Sequence, residues 1–247
     1  MNKTAFGLLI SVLALGAFGC ASDSEPESED YTGMPASYDA SSSYEVDIDA
    51  ADLTPEITHT LFPTPVGAKW VYEKKSGDQV ERIEVSVEAG TKDVWGAKAR
   101  VIRDTVSLNG VMIEDTHDWY AQDDDGHVWY LGEDTAEYAN GELVCHCGAW
   151  EAGKQGALPG VIMLAEPKVG YTYRQEYFAG EAEDIATVVS LDETVTVPAG
   201  TFHGCLKTKD GSALESGSAY KYYCPGVGLT LEEEDGERVE LVQRSGL

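Results

Sequence analysis

The amino-acid sequence predicts an all-β protein: two tandem antiparallel β-meander repeats that form one strongly curved sheet, an open barrel or a sandwich. Three observations carry this. First, Ile83, Val85 and Val87 alternate with Glu84, Ser86 and Glu88, and Val195 and Val197 alternate with Thr194 and Thr196. That is the period-two spacing of a strand with one wet face. Second, turn signals separate such runs: Ser76-Gly77-Asp78, Asn109-Gly110, Asp125-Gly126, Asn140-Gly141, Pro198-Ala199-Gly200, Asp210-Gly211 and Asp235-Gly236. Asn-Gly and Asp-Gly reach positive φ at little cost, so they join neighbouring antiparallel strands. Third, the pattern is written twice. Val66-Gly67 recurs as Val169-Gly170, Trp70-Val71-Tyr72-Glu73 as Tyr173-Arg174-Gln175-Glu176, and Asp118-Trp119-Tyr120-Ala121 as Lys221-Tyr222-Tyr223-Cys224, each 103 residues on.

The chain divides into four regions. Residues 1–19 read as a signal peptide: Lys3 gives a positive start, and the apolar run Ala5 to Phe18 is too short for a permanent membrane helix. Gly19-Cys20 ends that run and resembles the lipobox of bacterial lipoproteins, although Ala17 stands where that family prefers Leu. The resemblance implies cleavage before Cys20 and acylation of its thiol and new amino group. Residues 20–52 follow as an acidic tether. Between Ala21 and Asp52 there are ten Asp or Glu and no Lys or Arg, a composition that buries too little apolar surface to offset ordering entropy. Residues 53–164 are the first meander and 165–247 the second. The first runs on past its match, from Asp134 to Leu164, and Ala149 to Leu164 allows a short helical turn. A meander of this length must curl or cover its edges.

The formal charge of −27 excludes nucleic acid as a partner, because phosphates are repelled. The chain holds no Gly-x-Ser-x-Gly elbow, His-Glu-x-x-His pair, phosphate-binding loop or dinucleotide glycine fingerprint. No catalytic residue and no cofactor are expected.

Four cysteines remain after Cys20. An even count in an exported domain points to disulfides, and Cys205 and Cys224 fall opposite each other if their strands form a hairpin around Leu214. Cys145, His146 and Cys147 are the second pair with its histidine. On a strand both sulfurs face one side and the imidazole the other; in a loop the three suit zinc or copper(I). A local Cys145–Cys147 ring is the competing reading. The stretch Gln122 to Asp134 invites a calcium-loop reading, which fails: Ala121 and Gly132 occupy positions that need carboxylates. Asp125-Gly126 then reads as an acidic hairpin turn, with His117, Asp118 and His127 as possible ligands beside it. Trp70, Tyr72, Trp119, Trp129, Tyr173 and Tyr222 are candidates for an aromatic cleft between the halves that takes an apolar or glycan ligand; cross-strand packing is the plainer role.

The order VPAG-x-F (Val197 to Phe202), CLKT (Cys205 to Thr208), KYY-x-PGVGL (Lys221 to Leu229) and ERVELV (Glu237 to Val242) resembles a family of bacterial secreted proteins and lipoproteins without assigned activity. The resemblance implies export and a β fold, and no chemistry. More loosely, the predicted architecture resembles periplasmic carriers of lipids. The expectation is a non-catalytic protein lipid-anchored in the bacterial cell envelope, acting as a binding or interaction scaffold for an apolar or glycan ligand or an envelope protein. The alternative is an envelope metal-handling or redox protein centred on Cys145, His146 and Cys147.

Overall fold

A computed structural model describes residues 44–214 and 216–247. The signal peptide and Cys20 lie outside the described residues. Strands of the first half are β1 (Lys69–Ser76), β2 (Gln79–Val94), β3 (Ala97–Leu108), β4 (Val111–Gln122), β5 (Val128–Ala139), β6 (Glu142–Cys145), β7 (Trp150–Glu151) and β8 (Leu158–Met163). The second half supplies β9 (Thr172–Arg174), β10 (Glu176–Tyr177), β11 (Asp184–Val197), β12 (Gly200–Ser212), β13 (Ala219–Cys224), β14 (Gly228–Glu234) and β15 (Glu237–Ser245). No α-helix occurs among the described residues; a single 3-10 turn spans Ala50–Asp52. The helical turn expected between Ala149 and Leu164 is replaced by β7, β8 and a tight connection, where Gly153 and Gly156 take positive φ.

All strands join one sheet, in the order β10-β8-β5-β4-β3-β2-β1-β15-β14-β13-β12-β11-β9 with β6 and β7 also on β5, every pairing antiparallel. Its two ends, β9 and β10, are successive pieces of one run of chain divided at Gln175. Arg174 pairs with Ile185 of β11 on one side, and Glu176 pairs with Pro159 of β8 on the other. The sheet therefore curls into a nearly closed antiparallel barrel and leaves little free edge. At this seam the backbones nearly touch: a Cβ on Gly160 would lie 2.3 Å from the carbonyl of Gln175, so only glycine fits.

The doubled pattern survives as doubled geometry. In the turn before β1, Ala68 N–H donates to Pro65 O at 3.0 Å; in the turn before β9, Tyr171 N–H donates to Lys168 O at 3.0 Å. Gly67 and Gly170 both take positive φ, 85° and 90°. Strand β2 ends at Val94 and β11 at Val197, and the next strands start at Ala97 and Gly200. Trp70 and Tyr173, the matched aromatics, are both buried. Their strand partners differ by a small register step: Trp70 faces Val85, whereas Tyr173 faces Ala186.

The segment that the second half lacks fills a definite place. β8, β7 and β6 pair in turn with Val128–Tyr130, Gly132–Glu133 and Glu137–Ala139 along the free side of β5. Residues 44–52, expected in the tether, instead lie against the barrel. Tyr44 is buried, its hydroxyl donates to Pro159 O at 3.0 Å, and Val46, Ile48 and Ala50 pack on the core. The cause is visible in the chain: apolar side chains alternate with the acids of Tyr44-Glu45-Val46-Asp47-Ile48, which gives this stretch one face to bury.

Candidate functional site

A surface cleft of about 300 Å³ opens beside β5 and β7, lined by Lys92, Trp119, Glu133, Trp150, Lys154 and Phe178 among others. Each wall follows from the topology. Trp119 of β4 is itself buried, and Lys92 lies 3.8 Å over its ring. Trp150 is brought in by β7, whose approach needs the missing side chain of Gly132; a Cβ there would lie 2.3 Å from Trp150 O. The rim is charged. Glu151 takes Lys92 at 3.3 Å and Lys154 at 2.8 Å. Partial burial pushes the Glu151 carboxyl up, but the hydrogen bonds from Lys154 and Lys92 prevail and hold it below the ordinary range.

The floor leads into the barrel. Glu133 and Trp150 belong both to the cleft and to a polar network behind it. Trp150 Nε1 donates to Glu176 Oε2 at 3.0 Å. Asp118 stands directly across the ladder from Glu133, both fully buried. Two like charges so placed repel each other strongly. Between them sits Tyr130, whose hydroxyl lies 2.7 Å from Asp118 Oδ1 and 3.1 Å from Glu133 Oε2. A phenol carries one proton. It can donate to only one of these carboxyl groups, so the other must bring a proton of its own. Burial, and then Asp118, pushes Glu133 well above the ordinary carboxylate range. Burial does the same to Asp104, with Asp118 next, and to Glu176, with Asp184 next. Across the barrel Lys221 lies 3.4 Å from Asp210, and opposite it on β14 Glu232 is pushed up to about 7, chiefly by burial and against the pull of Lys221. Glu133 Oε1 and Tyr120 Oη have no protein hydrogen-bond partner among the described residues. This buried acidic lining was not predicted. The signal was present in β5 and β10, where Glu133 and Glu176 interrupt apolar or aromatic strand faces.

The expected aromatic cleft is dispersed. Only Trp119 of the six named residues lines the 300 Å³ cleft. Trp70 and Tyr72 border a separate crevice of about 30 Å³ with Phe62 and Leu229. They are fixed by bonds from Trp70 Nε1 to Val227 O at 2.7 Å and from Tyr72 Oη to Leu229 O at 2.9 Å. Trp129 Nε1 donates to Asp123 Oδ2 at 2.7 Å, Tyr173 is buried near Asp210, and Tyr222 Oη donates to Glu233 Oε2 at 2.8 Å. Sequence alternation identifies which aromatics pack, but not which ones an irregular segment such as residues 146–157 will leave beside open space. The Asp125-Gly126 turn is structural: Asp123 accepts from His127 N at 2.8 Å, and His127 Nδ1 accepts from Ala165 N at 3.0 Å. His117, Asp118 and His127 do not converge on a ligand; His117 faces Glu88 at 3.7 Å and Asp118 the interior.

Both cysteine pairs are disulfides. Cys205–Cys224 joins β12 to β13, with Cα atoms 4.2 Å apart, and both residues are fully buried. Cys145–Cys147 closes a small exposed ring at the end of β6. His146 turns away from the sulfurs to Asp134, Nδ1 to Oδ1 3.2 Å, and Glu137 takes its place beside them. The Cys-His-Cys triad is therefore not assembled in this form, and its sulfurs are bonded to each other.

The chain matches no known protein family, no curated protein and no solved structure.

Proposed function

We propose that this chain is a non-catalytic, lipid-anchored protein of the bacterial cell envelope whose barrel is a scaffold for binding a glycan. One observation carries the binding role: the cleft of about 300 Å³ between Trp119, Trp150 and Phe178. It falls in the size range of small-molecule sites. It is built by the segment that interrupts the repeat, the place where a duplicated scaffold departs from its own pattern. The mixture of surfaces favours a glycan over an acyl chain. Aromatic carbon meets the C–H faces of a sugar, while Lys92, Glu151 and Lys154 meet its hydroxyl groups. An acyl chain would strip water from those ions without replacing its hydrogen bonds. Export agrees with the two disulfides, which fit an oxidising compartment, and the Gly19-Cys20 pattern supports the anchor.

Native mass spectrometry of the chain isolated from membranes, together with binding to cell-wall glycan fragments, tests the reading. Ala149→Trp places an indole in the cleft and is expected to weaken glycan binding about tenfold or more, with the far-ultraviolet spectrum unchanged. A wild-type chain that binds none of the fragments, or a variant that binds them equally well, overturns it.

A further inference from the structure

The hairpin of β5 and β6 carries a second kind of chemistry. Its register sets Glu137 directly across from Cys145, so their side chains leave the same face of the ladder. Cys147, in the turn just past β6, is held beside Cys145 by the disulfide. The Glu137 carboxylate and the two sulfurs lie within 4.8 Å of one another, the one gathering of three such ligand atoms among the described residues. The disulfide keeps the sulfurs from acting as thiolates. It is also the accessible one: Cys147 is exposed and Cys145 half-buried, whereas Cys205 and Cys224 are sealed in the core. Thiol exchange requires access to a sulfur, so a reductant meets Cys145–Cys147 first. Opening it releases a ring that spans a sequence separation of only 2, and short loops contribute least to folding stability.

We propose that this hairpin is a redox-gated site for a zinc-class divalent cation, ligated by the Cys145 and Cys147 thiolates and the Glu137 carboxylate. A dithiol reductant opens it. One of its thiolates attacks a sulfur of the pair, the S–S bond breaks, and a mixed disulfide forms. The second reductant thiol then displaces the remaining cysteine, leaving two protein thiols and an oxidised reductant. Zinc displaces both thiol protons to solvent as it binds. Two sulfurs and one carboxylate oxygen make three corners of a tetrahedron, a set that zinc accepts, with the fourth corner open to water. His146 is not a ligand here; its imidazole is on Asp134.

The full chain, carrying Cys20→Ser so that its thiol does not contribute, is reduced with a mild dithiol, freed of it without air and titrated with cobalt(II), then with zinc in competition. The reduced chain is expected to take up one cobalt ion with thiolate-to-cobalt absorption, and the oxidised chain none. Cys147→Ser removes that absorption, Glu137→Gln weakens zinc about tenfold or more, and His146→Ala leaves the affinity within about twofold. A reduced chain that binds no cobalt overturns the proposal. So does Glu137→Gln with wild-type affinity, or His146→Ala with the loss seen for Cys147→Ser. Near-ultraviolet circular dichroism of each variant checks the barrel, which these surface positions leave intact. Glycan binding at Trp119 and Trp150 is independent of these results.

Discussion

Hydrogen counting at Tyr130 fixes how the molecule responds to pH. Asp118 and Glu133 share one phenol, so the folded barrel holds a proton that the unfolded chain gives up near the ordinary carboxylate pKa of about 4. Asp104, Glu133, Glu176 and Glu232 all titrate above their unfolded values, chiefly through burial. Groups raised in this way contribute stability that is fully present below the unfolded pKa and lost as pH rises towards the folded one. For Glu232 that window runs from about 4.5 to about 7, a loss on the order of 3 kcal/mol. Urea unfolding is therefore expected to show a lower midpoint at about pH 8 than at about pH 5. Glu133→Gln, neutral at both, should narrow that gap; a midpoint that rises with pH contradicts the shared proton. The sequence shows acids interrupting apolar strand faces, but not that two of them share a proton. Strand alternation places Glu133 and Asp118 on β5 and β4, but only register decides that they face each other.

Elements were more legible than their joints. The alternation around Ile83 and Val195 and most of the Gly-containing turns locate the long strands, and the 103-residue offset locates their copies; Asp210-Gly211, expected as a turn, instead runs within β12 and pairs with β11. Short pieces escaped notice. β7, β9 and β10 are two or three residues long, too brief for any period, and they owe their place to the strands beside them. In residues 44–48 overall acidity masks a local alternation. The seam yields a sharp expectation: Gly160→Ala forces a Cβ against the Gln175 backbone and should lower stability by about 1–3 kcal/mol, measured by thermal or urea unfolding. The disulfides should separate in the same assay. Replacing Cys205 and Cys224 together removes a link across a sequence separation of 19 and is expected to cost about 3 kcal/mol. Replacing Cys145 and Cys147 should change the midpoint little. Equal costs would mean that loop length does not govern either bond.

At the scale of the whole molecule, the repeated strand order accounts for the barrel better than any single motif does. One meander leaves two open edges; two meanders cover each other, through β1 with β15 and through β8 with the run that holds β9 and β10. Neither join follows from the repeat alone, and the second depends on the extra segment after β5. That segment also walls the cleft, so the join through β8 and the cleft depend on the same stretch of chain. The anchor is tested at this scale. Cells fed radioactive palmitate should label the wild-type chain and not Cys20→Ala; label on both would remove lipidation at Cys20.

Pairing β1 with β15 also sets a timetable for export. A chain that crosses a membrane unfolded delivers Lys69 early and Ser245 late, and until the latter arrives the former has no neighbour on that side. Every chain that stops short of β15 therefore presents a half-satisfied backbone to its surroundings. The duplicated partner, already emerging and nearly alike, is the nearest wrong surface for it to grasp. A chain ending before Glu237 should accordingly self-associate more than the full chain, whose final strand covers that edge.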